Sequence, residues 1–420
     1  MSLSAVAGEG VSTEVASRRF AGLAFAVALW LGLSISLLGD TFYRVGLTWN
    51  VTADGAGAGR AALLGASMAL PVAALGMFAG VVVDRYSRPA TLIVTDVIRL
   101  VIVAQLGLWF LLGDPALPPV LVGAAVLAGS GVCFTPALQA WLPDLFPDRD
   151  RLVRFDALVL STVSAAGVVG PATAGLLYPL VGVGGLLVFD AVSFAVSAVA
   201  VGYVVRNRPP AAPTTEAPPR PRLVRGVGEG LSFIFGNPVL RPQFSVYPFM
   251  ECASYAVLFV LPAYLVSTDR ATSWLFGALL AANAAGRVVG AWVIAHCFLR
   301  HHRGRVLSVN HIIQGLALGL FCLAPTPLLG LPAFLLMGLP AGAAQIAVSS
   351  WVQTNVERQL RGRAFGTLSA LVLWLMPLGP VVFGWVGSWQ SPRIALLATA
   401  ATFCAGGAVI LSARAVRTLR

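Results

Sequence analysis

The sequence predicts an all-α membrane protein of twelve transmembrane helices arranged as two pseudo-symmetric six-helix bundles. Three observations predict it: too little charge for a water-facing surface, twelve apolar runs of spanning length, and arginines that cluster at alternate joints between those runs. Hydrophobic residues make up 58% of the 420-residue chain and charged residues 11%, with a mean hydropathy of +0.84. A soluble domain carries roughly 25% charged residues. The solvent of this chain is therefore largely hydrocarbon.

A spanning helix needs roughly 20 largely apolar residues. Twelve runs meet that requirement: 20–46, 60–83, 90–112, 118–142, 157–180, 183–205, 243–267, 272–298, 306–325, 328–351, 364–387 and 393–413. The first is long enough to tilt or to extend past the bilayer. It follows a stretch holding Glu9 and Glu14 with no apolar signal region, so it is expected to serve as the insertion signal.

All 28 basic residues are arginine. With the N-terminus inside, 22 of them fall on inner joints, from Arg18 and Arg19 to Arg414, Arg417 and Arg420. Only Arg60, Arg270 and Arg393 fall on outer joints, and Arg44, Arg99 and Arg287 lie within spans. This bias predicts both termini on the cytoplasmic side. A net charge of +11 could signal nucleic-acid binding, but its placement beside spans points to the membrane, and no nucleic-acid partner is expected.

The longest polar stretch, 206–230, reads RNRPPAAPTTEAPPRPRLVRGVGEG, a connector rich in Pro and Arg that no buried element could contain. It divides the chain into an N-terminal six-helix bundle (1–205), a linker with a short interfacial helix (206–242) and a C-terminal six-helix bundle (243–420). The halves echo one another. Trp141 precedes the GPxxxG element Gly170–Gly175 by 29 residues, and Trp351 precedes Gly379–Gly384 by 28. DRYSR (84–88) corresponds to LRHHR (299–303). Parallel six-helix repeats of this kind build one large transporter fold.

Gly80-Val-Val-Val-Asp84-Arg85-Tyr-Ser-Arg88 resembles the GxxxDRxGR element between helices 2 and 3 of the major facilitator superfamily. Gly167-Val-Val-Gly170-Pro171-Ala-Thr-Ala-Gly175 is similar to the helix 5 element of its proton-exchanging exporters. LLGDTFYRVGLTW, VFDAVSFAVSA and EGLSFIFGNPVLR resemble its macrolide-efflux and enterobactin-export branch. The resemblance spans nearly the whole chain. It implies export of an amphipathic organic compound (drug, antibiotic or siderophore-like) by alternating access in exchange for protons, through a cavity lined by helices 1, 4, 7 and 10. It also implies that Gly80, Asp84, Arg85 and Arg88 latch the cytoplasmic face when the cavity opens outward. The pattern departs at Ser87 and Pro89, and Ala125 stands where many drug–proton exporters carry an arginine four residues before Gly129.

Charges inside spans are the sharpest chemical signal, because each costs about 2.5–3.5 kcal/mol at a helix centre unless it finds a partner or a wet cavity. Glu251 falls near mid-membrane and reads either as a proton or cation-substrate site or as a satisfied structural carboxylate. Asp40 has Arg44 one turn on, a spacing that predicts an internal ion pair, with function and structure equally open. Asp190, and Asp96 with Arg99, lie on helices expected to be peripheral, where structural networks are the favoured reading. Asn283, Asn310, His311, Gln314 and Gln345 are expected to make helix–helix hydrogen bonds. Gly167, Gly170, Pro171 and Gly175 remove bulk where two helices can meet closely.

The five cysteines lie in apolar runs without metal-ligand spacing and read as small core residues. No nucleophile–base arrangement and no nucleotide-binding loop appears, so neither an enzyme nor a cofactor or metal is expected. The expected partners are a small-molecule substrate, protons and the lipid bilayer, with the chain acting as a monomer in the cell's inner membrane. An importer on the same fold and a non-transporting membrane receptor or assembly partner remain the rival readings.

Overall fold

The computed structural model describes residues 4–53, 57–207, 232, 235–238, 240–268, 272–294, 296, 303–324, 326–355 and 371–413. Beyond Asn207 the expected connector up to residue 230 lies outside these residues, as do Leu231, Phe233, Ile234 and Val239 of the expected interfacial helix, Arg358, Arg361, Arg363 and the last arginines; from Leu240 on, the interfacial segment belongs to the next spanning helix. Among the described residues there is no strand. That follows from the solvent, since a backbone in hydrocarbon must satisfy its own polar groups and a helix does so within one segment.

We number the spans α1 to α12. α1 covers Ser4–Ala53; α2 runs from Gly57–Leu75 through a 3-10 turn, Gly76–Phe78, into Ala79–Arg85; α3 is Arg88–Leu112; α4 joins Leu117–Gly131 to Phe134–Leu145. α5 and α6 are the two limbs of Arg149–Asn207. The second half holds α7 (Leu240–Val266), α8 (Ser273–Val293), α9 (Arg303–Leu323), α10 (Gly330–Asn355), α11 (371–389, ending in Leu378–Trp389) and α12 (Pro392–Ser412). Ten helices pass as spanning by length and hydropathy. They become twelve once Arg149–Asn207 is divided at its turn and the shorter apolar helix Val309–Leu323 is added. Every apolar run of the sequence thus has its helix.

Where the structure departs from the expected runs, local chemistry explains it. No loop separates α5 from α6, because Gly182 makes the turn alone at φ +64°, a backbone conformation open to glycine at little cost. Pro89 occupies the first turn of α3, where its missing N–H would have had no helical partner.

Packing repeats between the halves. α1 and α3 pack on α6 as α7 and α9 pack on α12, and α2 packs on α4 as α8 packs on α10. Glycines permit the close approaches, as small residues do in membranes generally. A Cβ on Gly32 would lie 2.7 Å from the Ala200 methyl group of α6, and one on Gly406 of α12 would lie 2.7 Å from Val246 of α7. Aromatic packing fills the second bundle, where Phe321 meets Tyr264 and Phe334 edge-on at 5.3 and 5.2 Å between ring centroids. Large apolar side chains such as Leu112, Leu180 and Val199 face outward, towards lipid. Cys252 and Cys322 are buried, and Cys133 and Cys404 half-buried.

The halves meet across two symmetry-related seams, α5 against α8 and α2 against α11. Both GPxxxG elements lie on these seams. Ser273 Oγ donates to the Gly175 carbonyl at 3.0 Å. A Cβ on Gly175 would lie 3.1 Å from the Gly277 Cα, and one on Gly277 would collide with the Pro171 carbonyl. On the second seam, a Cβ on Gly65 would lie 2.5 Å from Pro380, and one on Gly387 would lie 2.7 Å from Ala58. Trp49 stacks on Phe276 at 5.9 Å nearby. These contacts close the end of the molecule away from the arginine-rich joints.

Candidate functional site

At the arginine-rich end the two bundles each contain a cavity. One, of about 610 Å³, lies among α1, α3, α4 and α5; the other, of about 560 Å³, lies among α7, α8, α9, α10 and α11. They occupy equivalent places in the two repeats. Each falls within the size range of small-molecule sites.

Asp40 stands half-buried on the wall of the first cavity. Arg99 reaches the same wall from α3, its guanidinium carbon 5.1 Å from the Phe134 ring centroid and 5.2 Å from that of Phe194. Cations favour aromatic faces at that range. Behind Arg99 lie Asp96 and Asp190, both with no exposed surface. Gly39 and Gly131 make the room: a side chain on the first would strike Ser193 and Asp190, and one on the second would strike the Arg99 guanidinium. Ser193 Oγ donates to Asp190 Oδ1 at 3.2 Å, Asp190 Oδ2 has no hydrogen-bond partner among the described residues, and Asp96 lies beside the Ser197 hydroxyl. Asp40, Asp96, Asp190 and Arg99 are thus within Coulombic reach of one another.

The ion pair expected from the spacing of Asp40 and Arg44 does not form. Among the described residues neither makes a salt bridge, and Arg44 is exposed. One helical turn leaves their side chains displaced around the axis as well as along it. Asp40 consequently faces the cavity with Arg99, whereas Arg44 lies within electrostatic reach of Tyr255 on α7.

Glu251 of α7 is half-buried on the wall of the second cavity, close to Tyr247 one turn earlier. Arg287 faces the same space from α8. From α9, Gln314 Nε2 donates to Asn310 Oδ1 at 2.7 Å and approaches His311 Nδ1 at 3.4 Å. These bonds run along one helix and not between helices. Of the polar residues expected to bridge helices, Asn283 does so, donating to the Phe334 carbonyl at 3.3 Å, while Gln345 projects into the cavity.

The DRYSR turn lies at the open end. Arg88, at the start of α3, pairs with Asp144 near the end of α4. Asp84 and Arg85 are exposed, and no heavy atom lies within 4 Å of a Cβ placed on Gly80. Gly170 packs on Thr41 of α1 within its own bundle, while on the seam a Cβ on Gly167 would lie 3.8 Å from that of Ala284 on α8. The structure therefore distributes the expected residues over three places: the carboxylates on and behind the cavity walls, the DR turn at the open end, and the glycines along the closed seam.

Residues 29–380 match the Major Facilitator Superfamily. The chain belongs to the major facilitator superfamily. Over 393 residues it is 28% identical to the multidrug efflux pump Tap of Mycobacterium tuberculosis (strain ATCC 25618 / H37Rv), covering 91% of each chain. Over 322 residues it is 26% identical to the enterobactin exporter EntS of Escherichia coli O9:H4 (strain HS), covering 75% of this chain and 74% of the relative. Among solved structures, a bacterial homolog of the human lysosomal transporter Spinster, in an inward-facing and unoccupied conformation, superposes with a TM-score of 0.73 at 15% identity, over 94% of this chain and 97% of the other. At that identity the likeness shows the fold alone. As a major facilitator protein the chain is a multi-pass membrane transporter of small molecules.

The sequence assigns Arg99, with Asp96, to a structural network on a peripheral helix and gives Arg287 no role, whereas the structure puts both arginines on cavity walls. The available signal was the cost of an arginine in hydrocarbon, equal to that of a carboxylate. The resemblance pointed to helices 1, 4, 7 and 10 as the lining; α3 and α9 contribute as well, through Arg99 and the group Asn310, His311 and Gln314.

Proposed function

We propose that this protein exports an amphipathic organic compound from the cell, across the inner membrane, in exchange for protons. The observation that carries this reading is the placing of ionisable side chains, Asp40 and Glu251, on the walls of cavities closed at one end by tight glycine seams and open at the other. Transport by alternating access follows when the seams part and the open end closes. The surplus of arginines at the open end supports a cytoplasmic position for that end, in which case the conformation described faces inward. The exporter relatives support the direction, and the chain acts as a monomer with bundles 1–205 and 243–420 joined by the linker 206–242.

Charge counting supports proton coupling. Three carboxylates share the interior of the first bundle with Arg99, and Asp96 and Asp190 are fully buried. Ionising all three there would leave carboxylates buried without matching cations, which is costly. Binding and release of protons by Asp40, Asp190 and Glu251, with Arg44 and Arg99 as nearby cations, links charge state to conformation. Asp84, Arg85 and Arg88 then hold the cytoplasmic end shut in the outward-facing state, against the Gly80 surface left open here.

Efflux from cells across a panel of amphipathic antibiotics and siderophores, with and without a protonophore, tests this reading in the wild type and in Glu251→Gln. Energy-dependent efflux abolished by the protonophore is the expected result. Accumulation in place of efflux would overturn the direction, and efflux indifferent to the protonophore would overturn the coupling.

A further inference from the structure

The two cavities are equivalent in the repeat but differ in chemistry. Of 16 lining residues, ten are apolar in the first cavity, and ten are polar or charged in the second. The difference extends to matching positions. Aligning Arg88 with Arg303 sets Asp96 against His311 and Arg99 against Gln314, because each pair stands the same distance beyond its arginine. One repeat has placed a charged pair where the other has placed neutral hydrogen-bonding groups. Packing gives no reason for the second set, since an apolar side chain would fill the same space in lipid without desolvation cost.

We propose that the cavity among α7–α11 binds a neutral, polyhydroxylated head group, a glycosyl ring being the type, while the apolar body of the same molecule lies towards the first cavity. This rests on the exporter reading and names the chemistry that the exporter selects. His311 and Gln243 line this cavity and are 3% and 4% exposed, and among the described residues His311 Nε2 and Gln243 Oε1 have no hydrogen-bond partner. Buried polar atoms are nearly always paired, so a side-chain rotation that turned either atom towards a bound hydroxyl would satisfy it. Glu251 brings an acceptor, Arg287 a donor, and Gln345 both. A hydroxyl both donates and accepts, so a ring of hydroxyls can satisfy this mixed set all round. One carboxylate and one guanidinium leave the wall without net charge, which disfavours a charged head.

The test is binding to the purified full-length protein in nanodiscs, followed by tryptophan fluorescence. The probes are three aryl glucosides (a coumarin, an anthraquinone and a flavonoid), each paired with its own sugar-free aglycone. Each glucoside is expected to bind about tenfold or more tightly than its aglycone, the scale of one well-made hydrogen bond to a partner that would otherwise stay unpaired. Gln345→Leu, a cavity-exposed position that does not threaten folding, should bring the ratio close to one without weakening the aglycone, and Gln314→Leu should act in the same direction. Equal binding of glucoside and aglycone, binding of neither, or an unchanged ratio in Gln345→Leu overturns the head-group site. Intact protonophore-sensitive efflux alongside any of these leaves the exporter reading standing, whereas a preserved ratio without efflux overturns only that reading.

Discussion

Adding one methyl group at Gly175 should move this transporter towards its other conformation. In the structure a Cβ there would sit 2.5 Å from the Ser273 carbonyl oxygen, about 0.9 Å nearer than the 3.4 Å at which ordinary contact begins. Gly175→Ala must push α5 from α8 and so loosen the Ser273 hydroxyl bond to the Gly175 carbonyl. Forcing a methyl into a packed seam costs about 2 kcal/mol, and the weakened hydrogen bond about 1 kcal/mol more. Both penalties act only while the seam is shut. A differential of about 3 kcal/mol changes the ratio of the two states by roughly 150-fold, so an open-seam population near 1% would rise to about 60%. Spin labels at Asp114 and Thr268, on the closed face of either half, in a background without native cysteines, would report it as a longer distance in double electron–electron resonance. Gly202→Ala, with no atom within 4 Å of the added carbon, is the control and should leave the distribution alone. A Gly175→Ala distribution that matches the control would refute the claim that this seam holds the conformation.

The remaining predictions concern the other end and the buried charges. Gly80 faces empty space here, so Gly80→Val should leave thermal stability unchanged yet slow transport about tenfold or more, equivalent to about 1.4 kcal/mol against closure of that end; normal flux would show that the surface never packs. Arg88→Ala and Asp144→Ala should each reduce flux in proteoliposomes, and the exchanged pair Arg88→Asp with Asp144→Arg should recover part of it, because their contact is an ion pair; no recovery would mean that position, not charge, matters. Asp84→Asn should lower flux with expression intact, a result that unchanged turnover would rule out. Arg99→Gln removes the cation nearest Asp96 and Asp190 and should lower the unfolding temperature, with Asp96→Asn in the same chain restoring much of the loss.

The helices were legible because a bilayer admits few solutions: a run of apolar residues of sufficient length has to form a helix there, and each of the twelve runs holds one. The two GPxxxG elements could be found by their spacing, but their partners could not. Nothing in the sequence joins Gly175 to Gly277 or Pro380 to Gly65, since those contacts depend on how one bundle meets the other. The same limit explains the cavity residues. α3 and α9 are apolar over most of their length, so no periodic polar face reveals where Arg99 or His311 points. Gly39 and Gly131, which open the space for Asp190 and Arg99, resemble any other small residue until the opposing side chain is placed. The Asp40–Arg44 spacing misled for a related reason: the rule for pairs on one helix takes no account of the neighbouring helices, which leave Asp40 on a cavity wall with Arg99 and Arg44 within reach of Tyr255.

A duplicated fold supplies its own control for deciding which buried polar groups serve architecture. Where both halves need a feature to pack, both keep it, as they keep GPxxxG on α5 and α11 and the pairing of α3 and α9 with the last helix of each bundle. Where the halves differ at matching positions, packing alone cannot demand the residue, because the partner half folds without it. Asp96 and Arg99 against His311 and Gln314 is such a difference, and so is the apolar first cavity against the polar second. The cost of burying these groups in hydrocarbon, several kcal/mol for charges left unpaired, is borne in forms the fold does not require. On the proposed reading the chemistry particular to this transporter lies in that divergence, with Asp96 and Arg99 of the first bundle answered by His311 and Gln314 in the second, where Glu251 and Arg287 supply the charged groups.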